Sequence, residues 1–166
     1  GNLGEVFPKA AMPALLGAKC EAGEFLDYRI TGTTDYGQFY HRFTNMLMGK
    51  FRKYLFISKI RGISGSCAGV SCYQYDSKGV NLNTHVTKAI RVAYGSESYV
   101  VFFGEILENA YRLDISPCVA RKEAVVECDS RCVLLDVTGQ SDDELQKVLS
   151  LISSSPVEDS ILQYYD

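Results

Sequence analysis

Residues 62–72 read GISGSCAGVSC, and within them Gly65-Ser66-Cys67-Ala68-Gly69 forms a G-x-C-x-G. A cysteine between small residues is where a hydrolase would carry its nucleophile. A sharp strand-to-helix turn exposes such a side chain, and the helix that follows lowers the thiol pKa. A strand is predicted before Cys67. The residues after it, VSCYQYDSKG, are β-branched, aromatic and then turn-forming, and they predict a second strand instead of the helix. A cysteine nucleophile also needs a base. The chain has two histidines, His41 and His85, and the hydrolase reading pairs Cys67 with His85.

Set between two strands, this small-residue turn resembles the one that bears the nucleophile in chymotrypsin-like cysteine proteases. That family places its base histidine well upstream and orients it with a carboxylate. Here His85 lies downstream and His41 falls in a predicted helix, so the arrangement departs from the family pattern. A glycine-serine hairpin connection explains the same residues without chemistry, and we prefer it.

The other cysteines are Cys20, Cys72, Cys118, Cys128 and Cys132. Cys67-x4-Cys72 and Cys128-x3-Cys132 miss the C-x2-C knuckles of structural zinc, and we expect no metal. Cys128 and Cys132 flank a predicted three-residue loop and could bridge as a cross-strand disulfide. The composite expectation is small buried thiols in a reducing, cytoplasmic compartment, supported by the absence of an Asn-x-Ser/Thr sequon. The opening residues show no basic start followed by an apolar run, so no secretory signal is expected. Neither a G-x-x-x-x-G-K-[ST] nor a strand-borne G-x-G-x-x-G occurs, so no nucleotide cofactor is expected. No run of eighteen apolar residues predicts a membrane helix.

Charge is distributed unevenly along the chain. Residues 36–96 carry nine bases against one acid, Asp76, so 9 − 1 = +8, whereas residues 97–166 carry five bases against fourteen acids, so 5 − 14 = −9. Arg42, Lys50, Arg52, Lys53, Lys59 and Arg61 are interleaved with aromatic residues. Cations beside aromatics suit single-stranded nucleic acid, an acidic protein surface, or the acidic third of the same chain or of a second copy.

These residues must be positioned by the elements around them. Residues 35–54 place Tyr36, Phe39, Tyr40, Phe43, Met46, Leu47, Phe51 and Tyr54 at helical spacing, and Asp35 with Gln38 suggests a capping box. An amphipathic helix is predicted there. Short stretches rich in valine, isoleucine, tyrosine and phenylalanine follow: YLFISKIRGI, VSCYQYD, NLNTHVTKAIRVAYG, SYVVFFGEI, EAVVEC and RCVLLDVTG. Asp76–Gly79 predicts a turn, and ECDSRC a tight hairpin. SDDELQKVLSLISSS predicts a helix with Ser141 and Glu144 as its capping box.

The expected fold is therefore α+β. It has an N-terminal amphipathic helix, a largely antiparallel sheet of about six strands or a partly closed barrel, and a C-terminal helix packed on it. Residues 1–166 are expected to form one domain, with 1–20 as an irregular lead-in. The expected function is a non-enzymatic protein-interaction or assembly module that presents residues 42–61 to an acidic partner or to itself. RNA binding through the same six cations is the alternative, and the Cys67 hydrolase is the second.

Overall fold

The computed structural model describes residues 14–44, 53–65, 70–88, 95, 97–117 and 119–152. They form eleven strands and one helix, and the strands stack as two sheets. In the front sheet, β1 (Ala14–Leu16), β4 (Gly37–Phe43), β9 (Arg112–Ser116), β6 (Val70–Tyr75) and β7 (Asn81–Lys88) lie side by side, and β10 (Val119–Ala120) also pairs with β4. The back sheet runs β2 (Ala18–Ala22), β3 (Tyr28–Gly32), β11 (Val125–Asp136), β5 (Lys53–Ser64) and β8 (Glu97–Glu105). Every pairing is antiparallel, as the sequence predicts. The fold is a β-sandwich and not the expected α+β arrangement.

The predicted N-terminal helix does not form. Residues 37–43 are strand β4, residues from Lys53 belong to β5, and 45–52 lie outside the described residues. Tyr36 sits in a turn with φ of 63°, a left-handed conformation that interrupts a right-handed helix. The supposed capping pair is used otherwise. The Asp35 carboxylate accepts from the Lys122 backbone N–H at 3.1 Å, and Gln38 accepts from the Tyr40 hydroxyl at 2.6 Å. ECDSRC is likewise no hairpin. It runs through β11 as an irregularity at which Asp129, Ser130 and Arg131 stand opposite Lys59 alone. Asp27 pins it by accepting from the Ser130 backbone N–H and hydroxyl. Cys128 and Cys132, one on each side, remain thiols.

Alternation explains the core. Phe39 and Phe43 of β4, Val70 and Cys72 of β6, and Leu113 and Ile115 of β9 point towards Tyr54, Phe56 and Ile60 of β5 and Val126 and Leu134 of β11, and all are buried. The Tyr54 hydroxyl crosses this core to donate to the Cys72 sulfur at 3.3 Å. Burial pushes the Cys72 thiol up to about 12, against that hydrogen bond. Gly104 leaves the room that the Tyr54 ring occupies, since a Cβ there would collide with the phenol. On the opposite face of the back sheet, Leu55, Val101 and Val137 pack with Leu145 of α1 (Asp142–Ile152). The helix opens on the predicted capping box, with reciprocal bonds between Ser141 and Glu144 at 3.4 and 3.2 Å.

That same face also contains a buried carboxylate. Glu127 is fully buried and accepts backbone N–H groups from Glu24, Phe25 and Leu26 at 3.0, 2.7 and 2.9 Å, together with the Arg29 Nε at 2.8 Å. Burial alone would raise its pKa. The three backbone donors and Arg29 outweigh it and hold the carboxyl at about 2. Because this lies below the ordinary carboxylate value, the stabilisation is complete above about pH 5 and lost as the pH falls towards 2. A shift of this size corresponds to about 3 kcal/mol. Urea unfolding of Glu127→Gln at pH 7 should show a loss of about that size, and the gap to wild type should narrow on acidification. A gap unchanged between pH 7 and pH 3 would contradict this account.

Candidate functional site

The outward positions of the front sheet carry a polar and aromatic cluster. On β4 they are Gln38, Tyr40 and Arg42; on β9, Arg112, Asp114 and Ser116; on β6, Ser71, Tyr73 and Tyr75. This follows from alternation, because the intervening residues enter the core. Strand register aligns them in rows: Arg42 opposes Asp114 and Asp114 opposes Tyr73, while Arg112 opposes Tyr75. The floor of the face is closed to solvent. Gln38, Tyr40, Ser71, Asp114 and Ser116 are buried, whereas Arg42, Tyr73, Tyr75 and Arg112 are half-buried around them.

Asp114 organises the electrostatics. Its two oxygens accept from Arg42 Nε at 2.8 Å and from the Arg42 terminal nitrogen at 3.0 Å, a bidentate pair. That hydrogen bonding raises the Arg42 pKa further. Arg112 approaches the same carboxylate only to 3.6 Å, and its guanidinium lies 3.9 Å from the centroid of the Tyr75 ring. Tyr40 and Tyr73 meet edge to face at 5.8 Å. Burial first, and then the neighbouring Tyr73, push the Tyr40 hydroxyl well above the usual phenol range.

The sequence-predicted basic residues do not form one face. Arg42 lies on the outside of the front sheet. Lys59 and Arg61 lie on the outside of the back sheet, on the far side of the core. Lys59 pairs with Glu97 at 2.9 Å, which raises its pKa. Arg61 stands in register between Glu97 and Glu127, with its guanidinium 3.9 Å from the Phe25 ring centroid. Lys53 is exposed at the start of β5, where its backbone N–H donates to the Thr138 hydroxyl. Lys50, Arg52 and Cys67 lie outside the described residues. His85 stands on β7 in register with Tyr73. The basic patch needed for an acidic or RNA partner is thus split between opposite faces, and two of its cations hold acids of the same chain.

Sequence reasoning missed Asp114, Arg112 and the tyrosines as a group. A period-two signal was present in Arg112-Leu113-Asp114-Ile115-Ser116, where polar residues alternate with core residues.

No protein-family model and no curated protein matches the chain. Solved structures do. The CBM22-1 xylan-binding domain of Xyn10C from Paenibacillus barcinonensis superposes with a TM-score of 0.58 at 12% identity, over 80% of this chain and 96% of that one. The CBM22-1–GH10 modules of Clostridium thermocellum xylanase Xyn10B, complexed with xylohexaose, give 0.55 at 13% identity, over 78% of this chain and 26% of that one. The enzymatically active domain of tailspike protein 4 from bacteriophage CBA120 gives 0.54 at 11% identity, over 75% and 19%. The chain thus shares its two-sheet sandwich fold with the xylan-binding domain and superposes on part of each of the other two chains. It spans nearly the whole xylan-binding domain but only a fraction of the two larger chains.

Among the described residues Asp114 is the one carboxylate on the three central strands of this face, set against two guanidiniums. Asp114→Ala should cost about 3 kcal/mol or more, because it leaves Arg42 and Arg112 facing each other without a counter-charge. In urea unfolding, the double variant Arg42→Met/Asp114→Leu should lose less than the single variant. Equal or greater loss would count against the pairing.

Proposed function

We propose that this protein is a non-catalytic glycan-binding module and that the outer face of the front sheet receives the sugar. The observation that carries this reading is the cluster itself: half-buried Tyr73, Tyr75, Arg42 and Arg112 on one sheet face, set over a buried floor of Tyr40, Gln38 and Asp114. A sugar ring offers apolar C–H faces and a rim of hydroxyls that both donate and accept. Aromatic rings complement the first, and planar, fixed polar groups complement the second. The fold shared with a xylan-binding domain supports the same reading.

A glycan partner replaces the acidic protein surface expected from the basic stretch, because Arg42 and Lys59 already hold acids of their own chain on opposite faces. Binding without cleavage fits the same cluster. Glycoside hydrolysis ordinarily uses two carboxyl groups flanking the scissile bond. Here Asp114, the one on the central strands among the described residues, has both oxygens engaged by Arg42.

Affinity electrophoresis through gels containing plant, algal and bacterial polysaccharides tests the proposal. Migration should be retarded by at least one polymer. Tyr73→Ala should weaken that binding tenfold or more, about 1.4 kcal/mol, while its melting temperature confirms folding. Unretarded migration across all the gels, or undiminished binding by folded Tyr73→Ala, would overturn it.

A further inference from the structure

We infer that the glycan taken by this face is anionic, and that its carboxylate or sulfate substituent docks on Arg112. This rests on the glycan-binding reading and adds the class of sugar to it.

The charges of the face do not cancel. On the three central strands, the described outward residues include two guanidiniums, Arg42 and Arg112, and one carboxylate, Asp114. Arg42 takes both oxygens of that carboxylate, at 2.8 and 3.0 Å. Arg112 is left 3.6 Å away, beyond hydrogen-bond range, and its Nε is buried with no hydrogen-bond partner among the described residues. A buried donor without a partner is costly, and a charged one more so. The Tyr75 ring at 3.9 Å holds the Arg112 group in place without using any of its N–H donors. The side chain is 27% exposed, so a ligand can reach it.

A guanidinium fixed by stacking, with its donors unspent, is suited to a planar carboxylate or to the oxygens of a sulfate ester, which it grips at two points. A neutral sugar hydroxyl would leave the excess positive charge uncompensated.

Matched polymers distinguish charge from sugar identity. Dissociation constants would be measured by calorimetry for polygalacturonate against fully methyl-esterified pectin, for glucuronoxylan against its carboxyl-reduced form, and for carrageenan against its desulfated form. The acidic member of at least one pair should bind tenfold or more tightly than its neutral counterpart. The uronate pairs and the sulfate pair separate the two sources of charge. Arg112→Gln should close that gap. Arg112→Lys, which keeps the charge but loses the planar fork, should close it in part. Equal affinity within every pair that binds would overturn this inference and leave the glycan reading standing. A preference for acid that survives in folded Arg112→Gln would overturn the assignment to Arg112. If no polymer in any pair binds, this inference fails, and the glycan reading is decided separately by the gel panel.

Discussion

A carboxylate removed from water must be neutralised where it stands, and much of this molecule's layout follows from meeting that demand twice. Asp114 on the front sheet is met by the Arg42 fork. Glu127 on the back sheet is met by three backbone N–H groups of the β2–β3 connection and by Arg29. Each solution fixes more than a charge. The first ties β4 to β9 and sets the centre of the candidate site. The second folds residues 23–27 over the outside of the back sheet, where Phe25 then lies beneath Arg61. Gly23 is part of that fit, because a Cβ there would run into the Leu26 carbonyl.

The two sheets also differ in what they do with their outer faces. The back sheet covers its outer face with its own chain: α1 over Leu55 and Val101, and the loop over Glu127. The front sheet carries tyrosines and fixed polar groups in the equivalent place. The proposed binding face is therefore the side whose outward residues are ordered by one another, with Asp114 engaging Arg42 and Tyr75 stacking on Arg112, and not by an overlying helix among the described residues. A site built on sheet registers keeps its geometry because moving one residue requires moving a strand.

Local signals were legible where one residue decides the conformation. Asp76 and Gly79 specify a turn: the Asp76 carboxylate accepts from the Lys78 and Val80 backbone N–H groups, and Gly79 supplies a φ of 81°. Ser141 and Glu144 likewise announce the start of α1. Antiparallel pairing was readable from the succession of strands. The stretch from Tyr36 to Phe43 misled because both faces of β4 are buried. Tyr40 and Gln38 on the outside are as enclosed as Phe39 and Phe43 inside, so alternation disappears and the surviving spacing imitates a helix. ECDSRC looked like a hairpin because the polar triplet it contains is an irregularity within one strand. The basic run misled for a different reason. Order along a chain says little about faces in a sandwich, where Arg42 and Lys59 end on opposite sides. The long-range partners Asp114, Glu97 and Glu127 were invisible because ion pairing depends on register, which no local pattern encodes.

The contact between Tyr54, Cys72 and Gly104 has a consequence for how such a chain can change over time. The phenol on β5 reaches the sulfur on β6 only because β8 contributes no side chain at Gly104. The three positions lie on different strands, yet they share one volume. A larger residue at 104 is tolerable only with a smaller one at 54, and a smaller residue at 54 leaves the polar atom at 72 without its donor. Descendants of this sequence should therefore vary at these three sites together or not at all, leaving a covariation trace that links the two sheets through their core.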